Sequence, residues 1–140
     1  MVKRFLNLHS MPKMTYTAVY QQPRTLLRYD SERVIIYPDE RVEDNYQPEK
    51  TADNDAPLPF KAYIYTGEER DGGFIVPCSD PTDHHEVANA IIRTRYTVSD
   101  ELALQRHHQE DADAYAEEWQ AYCSFADAAT AKAKKWLGIV

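Results

Sequence analysis

All eight prolines of the 140-residue chain occur by Pro81, and between Pro81 and Gly138 the chain holds no glycine either. Proline removes a backbone donor and breaks a helix interior, and glycine loosens one. The long stretch without either residue is therefore open to continuous helix, and the turn-rich stretch before it is not. This asymmetry predicts an α+β protein whose β-structure comes first and whose helices follow.

The first part contains short runs rich in β-branched and aromatic residues: TYTAVY (15–20), TLLRY (25–29), RVIIY (33–37), FKAYIY (60–65) and GFIVPC (73–78). Such runs suit a half-buried pleated surface, and four or five antiparallel strands are expected over 15–78. The polar DSE between the second and third runs is a hairpin link. TGEERDG between the last two is a second, with Gly67, Gly72 and Gly73 expected to supply positive φ. Residues 38–59 carry seven acids, two bases and four prolines around Val42, Tyr46 and Leu58. So little apolar surface does not offset the entropy of ordering, which predicts a mobile acidic loop.

In the second part, Asp80 is the expected cap of a medium helix with Pro81 at its first position and Asp83 completing a near capping box. Val87, Ala88, Ile91, Ile92 and Tyr96 then form one apolar face. Ser99 is the expected cap of a long helix ending at Gly138. Along it, His108, Ala112, Tyr115, Trp119, Tyr122, Ala126, Ala129, Ala133 and Trp136 recur at alternating spacings of four and three, a heptad-like seam. Tyr115, Trp119, Tyr122, Ala126, Ala129, Ala133 and Trp136 are the candidate interaction surface, toward a protein partner or a second copy of the chain. Packing on the chain's own sheet or first helix is the competing use of the same seam. An unbroken helix here would span roughly 55 Å, so it either breaks near 109–113 or projects toward a partner.

Charge is segregated. Residues 1–28 hold Lys3, Arg4, Lys13, Arg24 and Arg28 and no acid, and all 23 acids lie between Asp30 and Asp127. The acidic middle argues against a nucleic-acid groove through the body. Lys3, Arg4 and Lys13, on a basic arm over 1–14, are the candidate contacts to phosphate or an acidic partner. No apolar run reaches a membrane span, and the first residues lack the pattern of an export signal. Cys78 and Cys123 are widely separated, which reads as two free thiols in a reducing cytoplasm.

Catalytic signals are sparse. Adjacent histidines on a helix diverge by about 100°, so His84-His85 and His107-His108 are poor chelating pairs. His107 with Asp111 has the i, i+4 spacing of a helical metal site but is a single pair. Cys78 precedes a helix start and His84, and no nucleophile elbow or phosphate-cradling loop accompanies it. No catalytic residue, metal or cofactor is assigned. Tyr16 and Tyr20 share a strand face, as do Tyr63 and Tyr65, and such aromatics stack bases in some proteins or fill cores in others.

The Tyr65, Gly67, Asp71, Gly72, Gly73 turn, the ANAIIR and RY of residues 88–96 and the SDELAL of 99–104 resemble uncharacterised small proteins of phages and prophages of gut bacteria, over about residues 63–138. The resemblance implies a bacterial cytoplasm, with incorporation in a virion as an extension, and a part in virion or tail assembly. It assigns no site residue. The expectation is thus one domain over 1–140, made of the arm, the β-rich part 15–78 and the helical part 80–138, acting as a non-catalytic interaction or assembly protein. A small regulator binding nucleic acid or a host factor through the arm and the tyrosine-rich sheet is the alternative, and a metal-dependent enzyme the third.

Overall fold

The computed structural model describes residues 14–139; Lys3, Arg4 and Lys13 lie outside them. The fold is α+β. Strands β1 (Tyr16–Tyr20), β2 (Leu26–Arg28), β3 (Arg33–Ile36), β4 (Glu40–Tyr46), β5 (Phe60–Gly67) and β6 (Phe74–Pro77) precede helices α1 (His84–Arg93), α2 (Val98–Glu110) and α3 (Ala116–Trp136). Two three-stranded sheets form, in the orders β1-β5-β4 and β2-β3-β6. Among the described residues the chain divides into two compact units, one of 14–27 and 35–75 and one of 28–34 and 76–139.

In the first unit β5 is the central strand and pairs antiparallel with β1 and β4. Its centrality explains its burial: Ala62, Ile64 and Tyr65 are at most 3% exposed. The charged β4 corrects the expectation that all of 38–59 is loop. Glu40 pairs with Tyr65, Arg41 with Ile64, Val42 with Tyr63 and Glu43 with Ala62. An edge strand needs no apolar alternation when it takes its order from the central strand, and its charges discourage further pairing. Residues 47–59 remain irregular.

The second expected hairpin is corrected too, because β5 and β6 belong to different sheets. The turn between them is nonetheless tight. Only Gly72 takes positive φ there, at 87°. Gly67 is needed for close approach, since a Cβ on it would stand 2.3 Å from the Gly73 carbonyl oxygen. The β2–β3 connection is as expected: the Asp30 carboxylate accepts from the Glu32 and Arg33 amides, at 2.9 and 2.7 Å, and pairs with the Arg33 guanidinium.

In the helical unit the caps differ from expectation by a few residues. Asp83, not Asp80, caps α1, accepting from the His85 amide, while Asp80 closes the preceding turn by accepting from Thr82. Thr97, not Ser99, caps α2 in a full capping box with Asp100. The residue whose hydroxyl reaches the N3 amide while the N3 carboxylate reaches back satisfies two orphan donors, and only Thr97 has an acid at that offset. The expected apolar face of α1 is the observed one, with Val87, Ala88, Ile91, Ile92 and Tyr96 buried.

The long helix is two helices. Asp111 ends α2 at φ −156°, and its side chain accepts from the Ala114 amide at 3.1 Å. Aspartate competes for backbone donors in this way without any proline or glycine. At its far end α3 stops in a Schellman motif: Gly138, at φ 71°, donates to the Lys135 carbonyl and Ile139 to that of Lys134.

Candidate functional site

Most of the seam is used inside the helical unit. Helix α3 packs on α1 and α2. Tyr122, Ala129 and Ala133 are at most 9% exposed. This corrects their assignment to an external contact surface, since a side chain already buried in the chain offers no area to a partner. Tyr115, Trp119, Ala126 and Trp136 are half-buried. Tyr122 meets Tyr96 edge-on at 5.2 Å, and Phe125 approaches Tyr96 at 5.8 Å.

The paired histidines join α2 to α3. His107 stacks on Tyr115 at 4.3 Å and its Nδ1 lies 2.8 Å from Glu118 Oε1, a carboxylate only 6% exposed. His108 stacks on Trp119 at 4.3 Å and 11°, with its Nδ1 buried and without a hydrogen-bond partner. The Asp111 carboxylate accepts from the Ala114 amide, and only its backbone amide reaches His107, donating to the carbonyl at 3.0 Å. Among the described residues no three histidine, cysteine or carboxylate side chains are grouped to hold a metal ion. The side chains of His107 and Asp111 serve instead the turn between the helices, on Glu118 and Tyr115 and on the Ala114 amide respectively. Nearby, Glu101 pairs with Arg93 at 2.5 Å and accepts from the Tyr122 hydroxyl. Burial and then this carboxylate push the Tyr122 phenol well above its ordinary range.

Neither thiol is prepared as a nucleophile. Burial first, then the Glu86 charge, pushes the Cys78 thiol up; burial and Asp127 do the same for Cys123. A raised pKa leaves little thiolate at neutral pH.

The sheet unit holds a tyrosine network that local sequence patterns did not reveal. Register places Tyr16 and Tyr20 of β1 on the same face as Tyr63 and Tyr65 of β5, with Tyr20 opposite Tyr63 and Ala18 opposite Tyr65. Tyr65 is fully buried, edge-on to Tyr37 at 5.5 Å. The Tyr65 hydroxyl accepts from the Arg24 amide at 2.7 Å and donates to Glu40 at 2.7 Å. The Tyr37 hydroxyl accepts from Arg24 Nη1 at 3.1 Å and donates to Asp71 at 2.6 Å. Both phenols are pushed up to about 12, chiefly by burial and in part by those carboxylates. The signals that pointed here were the high tyrosine content and the Asp71-Gly72-Gly73 turn. Beside the network, residues 20–27 line an open cleft of about 490 Å³.

Comparison of the chain with protein-family models, with curated proteins and with solved structures gives no match.

Proposed function

We propose that the protein is a non-catalytic assembly protein that associates with a second copy of itself, through the outward face of α2 rather than through the seam. One observation carries this reading. Val98 and Leu102, one helical turn apart, are each 57% exposed. Gln105 and Gln109 extend the same face at i+7 and i+11 from Val98, with exposed Arg106 beside them. The acids of α2 are elsewhere: Asp100 in the capping box, Glu101 on Arg93, and Glu110 at the last residue. A chain of net charge −7 repels its own copy, so self-contact favours a face free of acid. An exposed apolar pair rimmed by two glutamines and Arg106 is such a face, and twofold pairing is the commonest closure.

The resemblance of 63–138 to phage proteins supplies a setting, assembly in a bacterial cytoplasm or a virion. The test is the mass of the full chain by sedimentation equilibrium over a concentration series. The reading expects a concentration-dependent dimer; a single 16.2 kDa species throughout contradicts it.

A second reading, nucleic-acid binding by the tyrosine-rich sheet, has one observation in its favour. Tyr16, Tyr20 and Tyr63 share a face, and Arg70, Arg24 and Lys61 stand over their respective rings at 5.6, 4.1 and 5.7 Å. Glu40 and Val42 share that face through their pairing with β5, which sets an acid beside the rings. Unchanged mobility of labelled single-stranded DNA at low salt removes this reading.

A further inference from the structure

We propose that the cleft formed by residues 20–27 is a binding site for a small organic anion, with Arg24 holding its carboxylate or phosphate group against an apolar wall. The proposal is independent of self-association through α2.

Among the described residues, no carboxylate forms an ion pair with Arg24. Asp71, the acid of the same network, directs one oxygen to the Tyr37 hydroxyl at 2.6 Å and the other to the Gly73 amide at 3.1 Å. Neutral donors thus satisfy the acid's hydrogen-bonding capacity, so Asp71 acts on Arg24 through its charge at a distance and not as a direct partner. Guanidinium offers five N–H donors, and among the described residues only Nη1 is engaged by a side chain, the Tyr37 hydroxyl. Arg24 is itself one of the residues lining the open cleft.

The fork is also fixed. The guanidinium carbon stands 4.1 Å from the Tyr20 ring centre and 5.4 Å from that of Tyr37. The backbone beneath is pinned twice, by the Arg24 amide on the Tyr65 hydroxyl and by the Tyr37 amide donating to the Thr25 carbonyl at 3.0 Å. A stacked and hydrogen-bonded arginine loses less freedom on binding an oxyanion than a mobile one, and its planar fork matches carboxylate or phosphate oxygens. Tyr20, Pro23, Leu26 and Leu27 give the cleft its apolar wall, with Gln21 and Gln22 as further polar contacts. Its volume of about 490 Å³ lies in the range of small-molecule sites. One cation beside an apolar wall selects a ligand with a single anionic head on an apolar body.

The experiment follows backbone amide shifts of the full chain by NMR during titration with 3-phenylpropionate, with its uncharged amide 3-phenylpropionamide, and with inorganic phosphate. The expected result is saturable shifts confined to residues 20–27 and their hydrogen-bond partners. The uncharged amide should bind about tenfold more weakly or worse. In Arg24→Gln, shown by thermal unfolding to remain folded, carboxylate binding should fall by a similar factor. Phosphate saturating the same residues as tightly as the carboxylate also supports the site and assigns it a phosphoryl head. Equal binding of acid and amide, shifts located elsewhere, no saturable shift with either anion, or undiminished binding in Arg24→Gln would each overturn the proposal. The acid–amide comparison is made on the unaltered chain, so it decides even if Arg24→Gln does not fold.

Discussion

Tyr37 and Tyr65 join distant parts of the sheet unit through single oxygen atoms. Each hydroxyl accepts from Arg24, by its side chain or its amide, and donates to a carboxylate. Removing one by Tyr37→Phe is expected to cost about 1–2 kcal/mol in denaturant unfolding, since it breaks two hydrogen bonds and leaves Asp71 short of a donor. The titration has a definite sign. Both folded pKa values stand at about 12, above the unfolded value of 10.0, so the stabilisation is intact below pH 10 and is lost as pH rises toward 12. Spectroscopic titration of the folded chain should show a late tyrosinate component in that window, smaller in Tyr37→Phe. The glycines give a second residue-scale contrast. In Gly72→Ala the strain of φ +87° adds to a Cβ standing 2.5 Å from the Tyr65 carbonyl oxygen. A Cβ on Gly138 meets nothing within 4 Å. Gly138→Ala should therefore cost about 1 kcal/mol, the left-handed penalty alone, and Gly72→Ala clearly more, as read from thermal unfolding.

Among the elements, α2 shows where a cap is decided. Thr97→Ala should lower stability by about 1 kcal/mol, whereas Ser99→Ala, at an exposed position inside the helix, should change it by less than about 0.5 kcal/mol. Equal losses in denaturant unfolding would contradict the capping assignment. The same elements show what local patterns reveal. The apolar runs of β1, β3, β5 and β6 and the face of α1 were legible because side-chain period and burial agree there. Strand β4 was not, because ERVEDNY acquires its order from β5 and from no property of its own. The interruption at 111–115 was legible only as one of two outcomes. Its cause is the Asp111 side chain turning onto the Ala114 amide, a local choice that composition does not announce.

For the whole molecule, the seam expected to face a partner is spent in large part inside the helical unit. Tyr122, Ala129 and Ala133 turned out to be core, and the exposed apolar pair lay on α2, where Val98 and Leu102 do not stand out in a periodicity count. The Arg24 cleft was less legible still. Its partners Tyr37, Tyr65 and Asp71 are 13, 41 and 47 positions away along the chain, and only strand pairing and turn geometry bring them together. Burial distinguishes core from contact surface, and it is a property of the folded chain alone.

Self-association of the chain is proposed to run through Val98 and Leu102 of α2. Its most direct test is the native mass of Leu102→Glu beside that of the unaltered chain, at a concentration where the latter is fully associated. A buried charge facing its own symmetry mate is strongly disfavoured, so the variant should return to 16.2 kDa while the unaltered chain shows twice that mass. An unaltered chain that stays at 16.2 kDa, or a variant that remains at twice the mass, would contradict it.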